Sequence, residues 1–345
     1  MNYTKTLIAF IAISLSFALT ACVISDPPTT NPVPTTPVDG TTQILQQNLP
    51  ASLIVEPANG ITPVLSMIRG AAKSIDLVMY ELEDSQIENA LSQAENRGVT
   101  VRVLLNEGYY GAQPSASSAA AYQYLQSAGV SVRWTPSYFA LTHQKTLVVD
   151  GNQAIIMTFN LTPQYYGADR DFGIVDNDIK DVTAIEAAFN DDWQDIKDTA
   201  GWGDDLVWSP GADTAILSII NNSSQSLFIE NEEMSDTAVV NALISAVQRG
   251  VIVELVMTYS GDWADNFKKL TASGVGIRTY AADAPLYIHA KLILSDGNVA
   301  LVGSQNFSAS SLKDNRELGI IISDASLLNS LSATFQGDWA GGTPF

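Results

Sequence analysis

Two stretches of the chain repeat each other, and this repeat limits the possible folds more than any other feature. Residues 74–105, SIDLVMYELEDSQIENALSQAENRGVTVRVLL, match residues 226–257, SLFIENEEMSDTAVVNALISAVQRGVIVELVM, at an offset of 152. Further along, one offset of 146 relates His143 to His289, Asn160 to Asn306, Arg170 to Arg316, and Phe189…Trp193 to Phe335…Trp339. A unit of this length is too long for a solenoid repeat and has the size of a duplicated half-domain.

Each copy has the pattern of an α/β unit. SIDLVMY is a strand candidate, Ser85-Gln-Ile-Glu88 has the form of a capping box that opens a helix, Gly98 ends that helix, and VTVRVLL is the next strand. Asp150-Gly151 and Asp296-Gly297 indicate the turns of two hairpins, which begin at His143 and His289. Further helices are expected near 182–193 and 325–339. The prediction is a duplicated α/β/α sandwich, with mixed β-sheets in two similar halves, 51–200 and 206–345, related by a pseudo-twofold.

The N-terminal residues indicate export. Lys5 precedes an apolar run at 7–21, which is short for a membrane span and fits the core of a signal peptide. Leu19-Thr20-Ala21-Cys22 resembles the bacterial lipobox, although an ordinary signal peptide with a chance cysteine would look the same. We therefore predict a signal peptide at 1–21, lipidation of Cys22, the sole cysteine, and a Pro/Thr-rich tether at 22–50. Val23 indicates the outer membrane, at its periplasmic face, if the host is Gram-negative.

Composition bears on the partners. The 345 residues include 17 Lys and Arg against 37 Asp and Glu, for a formal net charge of −20. A surface of this charge repels nucleic-acid phosphates, so nucleic acid is an unlikely partner.

The chain has only two histidines, and both stand in the same context. Counted from each histidine, the pattern has a lysine at +2, a hydroxyl at +15, an asparagine at +17 and a carboxylate at +28. The residues are Lys145 and Lys291, Thr158 and Ser304, Asn160 and Asn306, and Asp171 and Glu317. An imidazole and an ammonium side by side on one strand face repel each other unless they face an anion. Lysines, asparagines and hydroxyls would then bind phosphate oxygens, and the carboxylates would orient the imidazoles.

These residues carry a resemblance to a known family. H-x-K-x4-D occurs twice, and Gly303-Ser304-Gln305-Asn306 fits a downstream G-S-x-N, so that residues 50–339 resemble the phospholipase D superfamily. The resemblance implies that both motifs meet at one active site, with His143 as nucleophile and His289 as acid. It also implies chemistry without a metal or cofactor. Asp150 and Asp296 complete the motif, and their place at hairpin turns favours a structural role.

The first copy departs from the family pattern. Met157 stands where the second copy has Gly303, which raises the expectation of a narrowed phosphate pocket. Tyr165 and Tyr166 either line the pocket or pack a loop, and both readings stay open. The acidic stretches Asp191-Asp192 and Glu230-Asn-Glu-Glu233 raise the question of a cation site, but no histidine or cysteine stands at metal-ligand spacing with them, so no metal is predicted. Asp191-Asp192 is expected at the solvated surface.

The expected activity is hydrolysis of glycerophospholipids to phosphatidate and a free head group through a phosphohistidine. Alternatives are phosphatidyl transfer to an alcohol, as in cardiolipin synthases, a metal-independent nuclease, and a phosphate-binding module without catalysis. A phospholipid substrate and membrane attachment through the N-terminal lipid are the expected partners. The chain is expected to be a monomer, because it carries both half-sites itself.

Overall fold

A computed structural model describes residues 52–197 and 203–345. The predicted signal peptide, Cys22 and the tether lie outside the described residues. None of the helices in the described part of the chain has both the length and the apolar composition needed to cross a membrane.

Strands and helices alternate in the first half. Along residues 52–197 the elements are β1 (Ser52–Glu56), α1 (Thr62–Gly70), β2 (Ser74–Met79), α2 (Ser85–Asn96), β3 (Thr100–Leu105), α3 (Ala116–Ser127), β4 (Ser131–Trp134), β5 (Thr146–Val149), β6 (Gln153–Met157), β7 (Asp169–Asp176) and α4 (Ile179–Trp193). The predicted βαβ unit is β2-α2-β3, and β2 and β3 pair in parallel. The helix start differs by one residue from the prediction, because Asp84 rather than Ser85 is the N-cap and accepts a hydrogen bond from the Gln86 amide.

The second half repeats this order with two short strands and one short helix added. Along residues 203–345 the elements are β8 (Leu206–Ser209), α5 (Ala212–Asn222), β9 (Ser226–Glu230), α6 (Thr237–Gln248), β10 (Ile252–Thr258), α7 (Ala264–Ala272), β11 (Gly276–Tyr280), β12 (Tyr287–Ile288), β13 (Leu292–Ser295), β14 (Val299–Gly303), α8 (Ala309–Lys313), β15 (Glu317–Ile322), α9 (Ala325–Gly341) and β16 (Thr343–Pro344). The added strands are β12 and β16, and the added helix is α8.

Each half is built on a mixed sheet. The first sheet has the order β1-β7-β6-β5-β2-β3-β4, and β12 of the second half pairs in parallel with its strand β7. The second sheet has the order β16-β11-β10-β9-β13-β14-β15-β8. Helices α1, α2 and α3 cover the outer face of the first sheet, and α5, α6 and α7 cover that of the second. Apolar residues of α4, α9 and both sheets form one central core, so the predicted duplicated α/β/α architecture is confirmed.

Two buried ion pairs join the halves reciprocally. Arg170 binds Asp338 of α9 with its Nε 2.5 Å from Oδ2, and Arg316 binds Asp192 of α4 with its Nε 2.8 Å from Oδ2. Each arginine thus binds the last helix of the other half, as a pseudo-twofold requires. The expectation that Asp192 is solvated was wrong. Its carboxylate is buried because it neutralises a guanidinium that is itself inside the core.

An aspartate at each hairpin turn fixes the hairpin to the strand beside it. Asp150 has a positive φ of 56°, and its carboxylate accepts hydrogen bonds from the backbone amides of residues 72–74. Asp296, with a φ of 54°, does the same for residues 224–226. These contacts hold the start of β2 and β9 and involve no group near either histidine.

Removing the carboxylate of Asp192 is expected to destabilise the protein strongly. In Asp192→Ala the guanidinium of Arg316 stays buried without this counter-charge, and the free energy of unfolding should fall by roughly 3–5 kcal/mol. Urea denaturation followed by tryptophan fluorescence measures the change. The control is Asp265→Ala, which breaks an exposed pair with Lys268 and should cost less than about 1 kcal/mol. Equal effects of the two variants would contradict the proposed role of the buried pair.

Glu56 at the end of β1 predicts a pH dependence of stability. Burial raises its pKa from 4.5 to about 7, and the charge of Asp171 acts in the same direction. A raised pKa means that the folded state holds the proton more tightly, so this contribution is fully present below pH 4.5 and is lost as the pH rises through 7. The stability of Glu56→Gln relative to wild type should therefore be higher at pH 8 than at pH 5. Urea midpoints at both values test this, and an equal difference at both would contradict it.

Candidate active site

One cavity of about 840 Å³ opens between the two halves and receives both histidines. It is lined by residues of both repeats, among them His143, Asn160 and Asp171 from the first, and Glu232, His289 and Asn306 from the second. Tyr165 and Tyr166 also line it, which settles the alternatives left open for them. The structure thus brings the two predicted half-sites together.

The acid of each half holds the histidine of the other half. The Nδ1 atom of His143 lies 2.9 Å from Oε2 of Glu317, and the Nδ1 atom of His289 lies 2.9 Å from Oδ1 of Asp171. Both carboxylates are buried, at 0% and 2% exposure. Because each carboxylate accepts the proton of Nδ1, the Nε2 atom of each ring is left for chemistry in the cavity.

The backbone next to each histidine is also held by the other half. The amide of His143 donates to the carbonyl of Arg316 at 2.9 Å, and the amide of His289 donates to the carbonyl of Arg170 at 3.2 Å. The sequence placed the histidines inside the hairpin strands, which was wrong. The strands β5 and β13 begin at residues 146 and 292, because the preceding residues pair across the interface instead.

The two hydroxyl residues do not face the cavity. Thr158 and Ser304 are fully buried, and the predicted role of binding substrate phosphate is therefore not supported by their position. Thr158 donates a short hydrogen bond to Asp171 and accepts one from the Phe172 amide at 2.8 Å. The Ser304 hydroxyl contacts the backbone of Leu318. They support the strands that carry the acids.

The lysines lie behind the histidines. The Nζ atom of Lys145 donates to the carbonyl of His143 at 2.7 Å, and that of Lys291 donates to the carbonyl of His289. Burial lowers the pKa of Lys145 to about 7; the charge of Glu317 opposes this shift, and Lys291 adds to it. A neighbouring anion stabilises the charged form of a buried ammonium, because it replaces the interactions with water that burial removed.

Burial also lowers the pKa of His143 below its ordinary value, although the adjacent Glu317 opposes the shift. The charges of His143 and Lys145 in turn hold the pKa of Glu317 below its ordinary value, against the effect of its own burial. Burial thus favours the neutral form of the His143 imidazole, and the carboxylate of Glu317 favours its protonated form. A neutral ring with its proton on Nδ1 has its lone pair on Nε2, as a nucleophile requires.

Met157 does not narrow the cavity, contrary to the sequence-based expectation. Its side chain is buried in the outer core of the first half. The glycine at the equivalent position serves packing: a Cβ on Gly303 would lie 2.3 Å from the Cα of Gly319 on the neighbouring strand. The difference between the two copies is one of strand packing and lies away from the cavity wall.

Several carboxylates at the cavity wall had no part in the sequence-based site. They are Glu56, Glu81, Asp169, Glu232 and Glu233. Burial raises the pKa of Asp169 to about 6, with the charge of Asp171 adding to the effect. Ligand atoms of Asp169, Asp171 and His289 lie within 4.8 Å of one another, a spacing that a divalent cation could bridge. The Nδ1 atom of His289 is already hydrogen-bonded to Asp171, so the absence of a metal stays a prediction.

Comparison with known proteins agrees with this geometry. The family described as "Cardiolipin synthase, PLD-like domain" matches residues 64–193 and again 216–339. The cardiolipin synthase of Oceanobacillus iheyensis is 26% identical and covers 86% of this chain and 70% of its own length. That of Listeria monocytogenes is 22% identical over the same shares of both chains.

Two solved structures share the fold. Phosphatidylserine synthase of Haemophilus influenzae superposes with a TM-score of 0.68 at 14% identity, over 86% of this chain and 87% of its own. Polyphosphate kinase of Porphyromonas gingivalis superposes with a TM-score of 0.64 at 15% identity, over 83% of this chain and 46% of its own. The family thus matches each half of the chain over a range that contains its histidine motif. The chain therefore belongs to the phospholipase D superfamily, as a duplicated PLD-like domain of the cardiolipin synthase type.

Proposed function

We propose that the protein transfers a phosphatidyl group from a glycerophospholipid to an alcohol, as a cardiolipin synthase does, through a phosphohistidine on His143. The observation that carries the proposal is the pair of histidines in one cavity, each with its Nδ1 atom bound to a buried carboxylate of the other half. Such a pair supplies one neutral and one protonated imidazole, which is the minimum for double displacement at phosphorus.

In the first step the Nε2 atom of His143 attacks phosphorus. A P–N bond forms, the P–O bond to the head-group alcohol breaks, and His289 donates its Nε2 proton to the departing oxygen. His143 suits the nucleophile because burial favours its neutral form. His289 suits the acid because its Nε2 atom lies 3.5 Å from a second carboxylate, that of Glu232, a contact that is attractive when the ring is protonated.

In the second step an acceptor alcohol attacks phosphorus, the P–N bond breaks, and the now neutral His289 takes the alcohol proton. Lys145, Lys291, Asn160 and Asn306 would stabilise the charge on the phosphoryl oxygens. The buried Oδ1 atoms of both asparagines have no hydrogen-bond partner among the described residues, and as acceptors they would take a hydrogen bond from a ligand hydroxyl.

The relatives favour transfer over the hydrolysis that the sequence analysis put first. Both sequence relatives compared above are named cardiolipin synthase. Water and an alcohol would use the same base in the second step. The net charge of −20 continues to argue against a nuclease. The proposed lipid at Cys22 and its tether would hold the domain beside a lipid substrate at the cell envelope.

The product distribution tests the proposed function. The protein is incubated with EDTA and mixed vesicles of phosphatidylglycerol and phosphatidylethanolamine, and cardiolipin, phosphatidate and free glycerol are quantified. Transfer releases cardiolipin and glycerol, and His289→Ala should reduce the rate roughly 100- to 10,000-fold. Phosphatidate in place of cardiolipin would indicate hydrolysis. Cleavage of supercoiled DNA in a parallel assay would indicate a nuclease, and binding without any product would indicate a phosphate-binding module.

The role of Glu317 as a positioning residue predicts a change in the pH profile. In Glu317→Gln the Nδ1 proton loses its ionised partner, and kcat should fall by roughly 100-fold or more. Because Glu317 raises the pKa of His143, its loss should move the acidic limb of kcat/KM to lower pH.

The matched control is Ser311→Ala, which removes the 2.7 Å hydrogen bond that the Ser311 hydroxyl donates to Oε1 of Glu317 and leaves the carboxylate charge in place. It should retain the acidic limb of wild type. An unchanged limb in Glu317→Gln would show that Glu317 only supports the fold.

A further inference from the structure

The carboxylate of Glu232 occupies the position where the second half would bind phosphate. Its Oε2 atom lies 3.1 Å from Nζ of Lys291, 3.4 Å from Nδ2 of Asn306 and 3.5 Å from Nε2 of His289. The proposed function assigns this lysine and asparagine to the phosphoryl oxygens, and this histidine to the departing oxygen of the same phosphodiester. A carboxylate and a phosphoryl group present oxygens of the same charge and similar spacing to such donors.

The equivalent position of the first half carries no carboxylate. In the repeat Glu232 corresponds to Tyr80, whose ring lies 4.7 Å from that of His143 and 4.9 Å from Nζ of Lys145. A tyrosine ring can cover an imidazole and an ammonium, but it does not occupy the site of an anion. The two half-sites are therefore unequal: a carboxylate contacts the donors of the second half, whereas an aromatic ring covers the buried Lys145 of the first.

Glu232 is held in this position by charge. Although burial opposes ionisation, Lys291 and both histidines hold the pKa of Glu232 well below its ordinary value. Its side chain is 27% exposed and lines the cavity. Its backbone is fixed, because the Glu232 carbonyl accepts a hydrogen bond from Nε1 of Trp263 at 3.2 Å. Rotation of the side chain alone is thus enough to break the contacts of Glu232 with the three donors, although Nδ2 of Asn306 also donates to Oε1 of Glu233 at 3.0 Å.

We propose that Glu232 is a specificity-determining residue that competes with substrate phosphate for Lys291, Asn306 and His289. The inference rests on the proposed function for the identity of the ligand. When a phosphate enters, the displaced carboxylate comes to lie beside Glu81 and Glu233, where it needs a hydrogen-bond donor from the ligand. A phosphodiester of a polyol brings hydroxyl donors and a single negative charge, whereas inorganic phosphate carries up to two negative charges near neutral pH and is repelled more strongly by these carboxylates. Glu232 therefore selects polyol phosphodiesters against simple phosphate anions.

Calorimetric titration of the full-length protein with two probes tests the competition. The probes are inorganic phosphate and glycerophosphoglycerol, the water-soluble diester with free hydroxyls. In Glu232→Gln the affinity for inorganic phosphate should rise about tenfold or more, because one unit of negative charge leaves the immediate surroundings of the ligand. The affinity for the diester should change less, so that the preference of wild type for the diester shrinks.

Glu83→Gln is the charge-matched control. Glu83 stands outside the donor set, where its carboxylate accepts a hydrogen bond from Gln164 at 3.0 Å, and its replacement should change phosphate affinity less than about threefold. Unchanged or weaker phosphate binding in Glu232→Gln, with an unchanged melting temperature, would overturn the inference. Because binding is the readout, a protein that shows this shift but transfers no phosphatidyl group would refute the proposed function and leave the competition standing.

Discussion

The structure depends on two hydrogen bonds that cross between the halves, from His143 to Glu317 and from His289 to Asp171. A carboxylate buried at this depth is costly unless it is bound. Thr158 and Ser311 bind these carboxylates from within their own halves, but the imidazole that binds each one comes from the other half. The neighbouring residues Arg170 and Arg316 project to the other side of the same strand ends and bind the last helix of the opposite half. In each repeat the arginine thus joins the two halves, and the acid that follows it binds a histidine of the active site.

The electrostatics of the cavity follow from burial more than from the number of charges. Its wall carries more carboxylates than cations, which at full ionisation would repel any phosphate. Burial moves the pKa of Glu56 to about 7 and that of Asp169 to about 6, so that part of this negative charge is neutralised by protons at physiological pH. Glu232 behaves in the opposite way: Lys291 and the histidines hold its pKa below the ordinary value despite its burial, and it sits among the phosphate-binding groups.

The repeat in the sequence was sufficient to predict the two halves and their mixed sheets, and the resemblance to the phospholipase D superfamily implied the meeting of both histidines. The repeat could not reveal that the acids are exchanged, because Asp171 and Glu317 stand at the same distance from the histidine of their own repeat. Hydroxyls at Thr158 and Ser304 looked like phosphate ligands by type, and only the packing of their strands shows that they face inward. Glu232 left one trace, a departure from the repeat opposite Tyr80, whose meaning depends on contacts with residues about 60 and 70 positions away.

The aspartates at the hairpin turns fix the distance between the turn and the lysine of each motif. Asp150 is fixed to the start of β2, and the four residues of β5 lie between it and Lys145, next to the cavity. A strand advances about 3.3 Å per residue and alternates its side chains between two faces. One residue more or fewer in this interval would shift the lysine by that distance and turn it toward the core. The spacing H-x-K-x4-D thus follows from the geometry of the hairpin. The aspartate fixes the turn to the neighbouring strand, and the length of β5 sets the distance from that turn to Lys145 beside the cavity.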